Sequence, residues 1–399
     1  MTQLFKRQKM SKKLDILHIC NNYAGSTIYK NLFSELDKLG YPQQVYCPVR
    51  LEELVGRNKI EFEGSKSEIS YSHILNLNTR VNYIGKIKKC VSDIESKLNI
   101  DEMQVIHAHT WYSDGGVAYE LHKKYKTPYI IAVRNTDLNV FFKYMLHLRR
   151  YGKEILKHAE AIVFISPVYK ERLLNHPYFE DLKDTIESKA LVIPNGIDDF
   201  WINNFKPNSN QKVHEIPQLL FIGQLSKGKN ILRLQKAIIK LSDNGKRCHL
   251  DIVGQGGNAE EKVLKVAQVH PDLFTVHGQV KDKEKLMTIF EQNDLFAMPS
   301  TNETFGLVYI EALTQGLPVI YTKNEGIYGF FDGKIGEAVD CYSVDDIAKS
   351  IKKIIMTIES YNYDVKKIVK EFNWRKISRN YEELYLNNVS VEQANESNQ

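Results

Sequence analysis

Leu295-Phe296-Ala297-Met298-Pro299-Ser300-Thr301-Asn302-Glu303-Thr304-Phe305-Gly306-Leu307-Val308-Tyr309-Ile310-Glu311 reads as a short apolar run, a polar loop opened by proline, and a segment with helical patterning. A second apolar run, Pro318-Val319-Ile320-Tyr321, follows. Strand, helix and strand in that order are the parts of a βαβ unit, and such units build parallel sheets.

The same alternation extends in both directions from this stretch. Towards the N-terminus it predicts strands at 14–20, 44–47, 104–109, 129–133, 161–165 and 191–193, with helices such as 28–39 and 115–125 between several of them. A second series begins at 218–223 and continues at 249–253, 274–276, 295–298 and 318–321. Between the two series, 201–217 holds Pro207, Asn208, Ser209, Asn210 and Pro217 with little periodicity, as a linker does. Past Asp340 the pattern turns helical, 374–386 is amphipathic, and 389–399 is a polar tail.

The expected fold is α/β, with two doubly wound Rossmann-like domains facing each other across a cleft. Residues 1–205 form the N-terminal domain and 206–373 the C-terminal domain, while 374–399 form a helix returning to the N-terminal domain and then the tail. A chain of 399 residues exceeds what one core serves, so two domains fit its length. In open parallel sheets ligands bind beyond the carboxyl ends of the strands, so function is sought in strand-to-helix loops.

Composition excludes several classes. Hydrophobic residues make up 43% and both charge signs are mixed, which excludes disorder as the main state. Five cysteines are scattered and never spaced C-x-x-C, which argues against a disulfide framework or a zinc site. No window approaches the roughly 20 apolar residues of a bilayer span. Lys6, Arg7, Lys9, Lys12 and Lys13 form a basic start, but Asp15 and His18 interrupt the apolar run behind it, so a secretion signal is not expected. That start is a solvated tail or a lipid-binding patch, and the expected location is the cytoplasm, at most against the inner face of the membrane. Basic residues are otherwise dispersed, so no nucleic-acid partner is expected.

The loop after 295–298 has specific chemistry. Amides of Phe305, Gly306 and Leu307 at a helix start form an anion site, and Gly306 permits close approach of the backbone. Glu303 stands before that helix and can accept hydrogen bonds from sugar hydroxyls. Glu311 lies about two turns deeper, where a buried carboxylate needs a polar partner such as paired ribose hydroxyls. The competing reading is an amphipathic helix bearing two solvated glutamates.

Pro299-Ser300, Glu303, Phe305-Gly306-Leu307, Glu311-Ala312, Gly316 and Pro318-Val319-Ile320 resemble, position by position, the E-x7-E signature of family 4 retaining glycosyltransferases. The resemblance implies the two-lobed GT-B fold, a nucleotide-sugar donor held mainly by the second lobe, and no metal or other cofactor at the diphosphate. Gly223-Gln224-Leu225 with Lys229-Asn230-Ile231 looks like the family segment whose Arg and Lys clamp the donor diphosphate. Lys229 matches, whereas Gln224 brings no charge, and Lys227 is a candidate to compensate; without the family match both lysines read as ordinary surface residues.

Gly254-Gln255-Gly256 with Ala259 mimics a dinucleotide fingerprint, but it follows the second strand of its lobe and lacks the later acidic residue, so it resembles the family's own glycine turn. Gly278-Gln279-Val280 occupies the region that in relatives lies against the base. Pro194-Asn195-Gly196-Ile197-Asp198 is by composition a turn, with Gly196 as the residue able to take positive φ, and is similar to the interlobe turn beside the donor. Gly25-Ser26 stands where relatives carry a glycine pair near donor and acceptor.

Arg134, in Ile130-Ile131-Ala132-Val133-Arg134-Asn135, replaces the histidine that many relatives hold against the donor sugar. It would pair with a phosphate or acidic sugar, or structurally with Asp137. His107 and His109 share one face of a strand, a spacing a metal could use, but no third ligand is evident, so a structural role is expected.

The implied catalytic residues are Glu303 and Lys229, with Gly25, Arg134, Asn195, Gln224, Lys229, Val280, Thr304, Phe305, Gly306, Leu307 and Glu311 around the donor. The implied activity is metal-independent, retaining transfer from a nucleotide-diphosphate sugar, a UDP-sugar foremost, to a glycan or lipid-linked glycan in bacterial surface polysaccharide synthesis, with peripheral membrane contact. The rival readings are a non-catalytic nucleotide-sugar or glycan-binding partner in a polysaccharide-assembly complex, a GT-B sugar-nucleotide epimerase, and a phosphorylase.

Overall fold

The computed structural model describes residues 13–63, 66–206 and 213–388; the basic residues Lys6, Arg7, Lys9 and Lys12, the linker residues 207–210 and the tail 389–399 lie outside them. The described residues fall into two compact units. The first holds residues up to Phe164, Leu174–Leu191 and those from Ser378 onward; the second holds Ile165–Leu173 and Val192–Ile377.

The first unit is built on a seven-stranded sheet of β1 (Ile16–Ile19), β2 (Gln43–Val49), β3 (Glu68–His73), β4 (Val105–Ala108), β5 (Tyr129–Val133), β6 (Ala161–Phe164) and β7 (Ala190–Val192), in the order β3-β2-β1-β4-β5-β6-β7. The strands from β1 to β6 pair in parallel. The second unit has six strands, β8 (Gln218–Ile222), β9 (His249–Val253), β10 (Phe274–Gly278), β11 (Leu295–Ala297), β12 (Val319–Thr322) and β13 (Gly336–Val339), ordered β10-β9-β8-β11-β12-β13 and parallel throughout.

Strands β1, β4, β5, β6 and β11 are buried along their whole length, as a parallel sheet covered on both faces requires. The covering helices are amphipathic. In helix Ile231–Asp243, Ile231, Leu234, Ala237, Ile238 and Leu241 are buried, one stripe at helical spacing, and each large member contributes about 1.5–3 kcal/mol by leaving water. All five cysteines are buried and unbridged. No helix among the described residues is long and apolar enough to cross a membrane.

Each sheet reverses its winding once, between β1 and β4 and between β8 and β11. At such a point the two flanking loops part, leaving a crevice at the carboxyl ends of the strands. The loops after β8 and β11 are the ones that carry Lys229 and Glu303.

Candidate active site

The loop after β8 is held by one asparagine. Asn230 takes a left-handed conformation, φ 60°, and its side-chain Nδ2 donates to the Pro299 carbonyl at 2.9 Å and the Cys341 carbonyl at 2.7 Å. The Thr301 amide donates to the Gly228 carbonyl at 2.9 Å, so the loops after β8 and β11 are stitched together. Asparagine is among the few residues that occupy this backbone region readily, and here its amide replaces missing loop hydrogen bonds. The result aims Lys229 at the neighbouring loop, where its Nζ lies 2.5 Å from Glu303 Oε2.

Glu303 is positioned through its backbone. Its amide donates to Glu325 Oε2 at 3.2 Å and its carbonyl accepts from the Gly326 amide at 2.9 Å. Arg172 in turn grips Glu325, with Nη2 2.7 Å from Oε1 and 2.8 Å from the Asn324 carbonyl. Burial raises the Glu325 carboxyl above its ordinary pKa, while Arg172 opposes that shift. A cavity of about 350 Å3 opens at the ends of β11, β12 and β13, bordered by Thr301, Glu325, Arg172, Asp340 and Tyr342.

After Glu303 the chain turns into helix Leu307–Thr314. Gly306 caps it at φ 83°, and a Cβ there would lie 2.5 Å from the Tyr309 ring, so both backbone and space call for glycine. Phe305 turns its ring into the core against Phe330 and Phe372 and is buried, while Thr304, Gly306 and Leu307 around it are half-buried. The amides of Thr304, Phe305, Gly306 and Leu307 have no acceptor among the described residues. Four unpaired donors beside a lysine form an anion-receptive rim. Burial pushes the Glu311 carboxyl up to about 7; Asp198 adds to the shift and Lys283 opposes it.

The remaining positions of the second unit are less convergent. Gln224 is exposed at the end of β8, and Lys227 is exposed with its amide held by Asn258 Oδ1 at 2.9 Å. Val280 is half-buried and packs on the core. Asn195 lies in the turn before Asp198, which caps helix Asp199–Asn203 and pairs with Lys283 at 2.6 Å. Gly196 does not use the positive φ open to it, and a Cβ there would come within 2.7 Å of the Trp374 ring, so close packing is what excludes a side chain.

In the first unit, Gly25 ends a turn after β1, and Ser26 caps helix Thr27–Lys38. Arg134 follows β5. Its amide donates to Asp137 Oδ2 at 2.8 Å, its Nε donates to the His109 carbonyl at 3.3 Å, and its guanidinium lies 5.9 Å from the Tyr29 ring of that same helix. Asp137 also accepts from the Trp111 and Tyr112 amides, each at 3.0 Å, which makes it a backbone anchor. Burial nevertheless raises its carboxyl to about 6, and raises that of Asp114, which accepts from the Asn21 amide, to about 7.

A third imidazole joins His107 and His109, contrary to what their spacing suggested. Register pairs His18 of β1 with His107 of β4, and the three residues each offer a ring nitrogen within 4.8 Å of the others. The set could ligate a metal by geometry. It is enclosed by Tyr29, Phe33, Tyr381 and Tyr385, no carboxylate is among its members, and Arg134 adds positive charge nearby, so a divalent ion would be buried without a counter-charge. Burial instead holds all three rings neutral, His18 down to about 3 and the other two well below their usual range.

Two parallel α/β units, the second with a lysine, unpaired amides and a carboxylate gathered at its switch point, define a bilobal protein equipped to hold an anionic ligand beside hydroxyl groups. The chain belongs to the glycosyltransferases of this GT-B kind: residues 25–199 match the family described as Glycosyltransferase Family 4, and residues 203–367 the family described as Glycosyl transferases group 1.

It is 26% identical over 276 residues to a D-inositol 3-phosphate glycosyltransferase of Corynebacterium jeikeium, covering 63% of this chain and 64% of that protein, just under two thirds of its length. A probable sucrose-phosphate synthase of Thermosipho melanesiensis is 25% identical over 345 residues, 81% of this chain and 77% of its own. Among solved structures, sucrose-phosphate synthase from Thermosynechococcus elongatus superposes with a TM-score of 0.69 at 18% identity, covering 94% of this chain and 99% of that one. Anabaena HepE in complex with UDP and glucose gives 0.63 at 18% identity, covering 94% and 100%. These structures share the fold.

Proposed function

We propose that this glycosyltransferase moves a sugar from a nucleoside-diphosphate sugar, a UDP-sugar foremost, to a glycan or lipid-linked glycan, with retention of anomeric configuration and with no metal at the diphosphate. The observation that carries the reading is the meeting of Lys229, Glu303 and the unpaired amides from Thr304 to Leu307 at the β8/β11 switch point. A pyrophosphate would accept from those amides and draw Lys229 away from Glu303, and the freed carboxylate would then accept from sugar hydroxyls. In the transfer step the bond from the anomeric carbon to the β-phosphate oxygen breaks. The acceptor oxygen bonds to the same face of that carbon, and its proton passes to the departing phosphate. Fixed amide dipoles and Lys229 stabilise the charge that develops on the leaving group. The HepE structure with UDP and glucose supports the uridine donor by analogy, and the 27% identity over 237 residues to a putative teichuronic acid biosynthesis glycosyltransferase of Bacillus subtilis, 55% of that protein's length, supports a surface polysaccharide as product.

The test is a panel of UDP-, ADP- and GDP-sugars with glycan acceptors, read as released nucleotide and as the anomeric configuration of the product. Turnover with a UDP-sugar and retained configuration is expected; an inverted product overturns the mechanism. The exposed, uncharged Gln224 favours a second reading, binding without transfer. A nucleotide sugar that raises the thermal midpoint while no pair of donor and acceptor releases nucleotide would establish it.

Glu311 supplies a pH signature for the same proposal. Its carboxyl forms no hydrogen bond with a described side chain, and with a pKa of about 7 it is mostly protonated at pH 6 and mostly ionised at pH 8. Ribose hydroxyls donate better to the ionised form, so the affinity for UDP-glucose, whose phosphates do not titrate in this range, should tighten up to ~10-fold from pH 6 to pH 8. Calorimetry on Glu311→Gln should show a flat profile; an equally steep one removes Glu311 from the ribose. The sign for stability is opposite. The raised folded pKa makes this group's contribution fall as pH rises from 4.5 through about 7 in the unliganded protein.

A further inference from the structure

Two segments of the first unit, 74–92 and 138–153, contain no aspartate or glutamate, although the chain has 49 acidic residues. Both present large apolar side chains to solvent. Val81 is 89% exposed, Leu77 74%, Tyr144 69% and Leu146 61%, with Ile84 and Val140 also exposed. Leu77 and Val81 stand four apart at the short helix Asn78–Val81, and Val140 and Tyr144 stand four apart on the helical run after β5, so each pair shares a face.

The two segments are joined beneath that surface. The Tyr83 ring meets Phe141 edge-on at 6.0 Å, Phe141 stacks on Tyr112 at 5.2 Å, and the Tyr83 hydroxyl donates to the Tyr112 carbonyl at 2.7 Å. Ile84 and Val140 are chain neighbours of this buried tie, which brings the apolar residues of both segments together on one side of the unit. Lys88, Lys143, His147 and Arg150 are exposed on the same segments, and none forms an ion pair with a described residue.

An apolar surface set among cations, on segments that themselves carry no carboxylate and with Asp181, paired to Lys153, at the border, complements one kind of partner, a sheet of anionic headgroups over hydrocarbon. The side chains project from short helical turns as separate protrusions, the form that inserts among lipids. We propose that this face docks on an anionic bilayer, with Leu77, Val81, Val140, Tyr144 and Leu146 entering the acyl boundary and Lys88, Lys143 and Arg150 on the phosphates. This surface is separate from the basic start of the chain, and the proposal does not rest on the identity of the sugar donor.

The test is flotation of the full chain with vesicles of phosphatidylcholine alone and of phosphatidylcholine mixed with phosphatidylglycerol. Binding to the mixed vesicles, weakened by salt, is expected. The variant Val81→Ser/Tyr144→Ser/Leu146→Ser should lose roughly 10-fold in bound fraction, and Lys143→Glu/Arg150→Glu should lose the dependence on phosphatidylglycerol. Thermal midpoint and nucleotide-sugar binding should be unchanged in both variants, since the altered side chains are exposed. No flotation, equal flotation on both kinds of vesicle, or variants that float like the parent chain would overturn the proposal. So would a dimer of the parent chain in light scattering that the serine variant dissociates, because a second copy would then be what covers this face.

Discussion

Glu303→Ala should abolish most sugar transfer while tightening the binding of free UDP, and Lys229→Ala should weaken both. The divergence follows from the 2.5 Å contact between the two side chains. In the unliganded protein Glu303 neutralises the cation that a diphosphate needs, so removing Glu303 frees Lys229 for the phosphates. Transfer would nevertheless fall by about 100- to 1,000-fold, the usual consequence of losing one group that stabilises the transition state. Lys229→Ala removes a cation that holds the diphosphate in the ground state and meets more negative charge in the transition state, so KM rises and kcat falls.

A structural ion pair predicts a different pattern. If the pair only holds the two loops together, each single variant and the double variant should lower the thermal midpoint by similar amounts and weaken UDP binding equally. That outcome is disfavoured by exposure: the Lys229 side chain keeps 31% of its surface open, and a partly exposed pair contributes no more than about 1 kcal/mol. Loop position is already fixed by Asn230, Thr301 and Glu325. Calorimetry with UDP, steady-state turnover and thermal unfolding on the three variants separate the two cases.

Legibility in the sequence followed the physical range of each interaction. Strand β5, an unbroken apolar run, was predictable to the residue, because covered parallel strands need such runs. The edge strands β3, Glu-Ile-Ser-Tyr-Ser-His, and β13, Gly-Glu-Ala-Val, were not expected, since each has a partner on one side only and carries polar residues in place of an apolar run. In the site, Glu303 and the Phe305-Gly306-Leu307 amides announce themselves because an anion-binding helix start is local. Arg172 and Glu325 do not, because they meet across 153 residues and their spacing carries no signal. Asn230 offered a weak one: an asparagine just before an apolar helix marks a position able to take left-handed backbone. His18 stayed hidden beside the noted His107 and His109 because register alone brings β1 to β4.

Gly254→Ala should be among the most damaging single methyl additions in the second unit. Gly254 directly follows β9 at φ 146°, and a Cβ there would lie 1.9 Å from the carbonyl oxygen of Gly223, which directly follows β8. Backbone cannot yield as a flexible side chain does, so the two strand ends must part. That breaks the hydrogen bonds from the Gly223 amide to the Val253 carbonyl at 2.9 Å and from the Gly254 amide to the Gly278 carbonyl at 2.8 Å. Strain and lost pairing together should exceed about 3 kcal/mol, which lowers the midpoint of a unit this size by roughly 10 °C. Gly256→Ala is the matched control. It too has positive φ, 70°, but a Cβ there meets nothing within 4 Å, so only the backbone preference is lost, about 1 kcal/mol. The pair also tests the site. Parting β8 from β9 displaces Gly223 and Gln224 at the head of the loop that carries Lys229, so Gly254→Ala should lose UDP binding even at temperatures where it stays folded, while Gly256→Ala keeps it. Equal binding by the two variants would mean that the β8 loop is held by Asn230 and Thr301 alone, and that the glycine turn after β9 serves the fold without shaping the site.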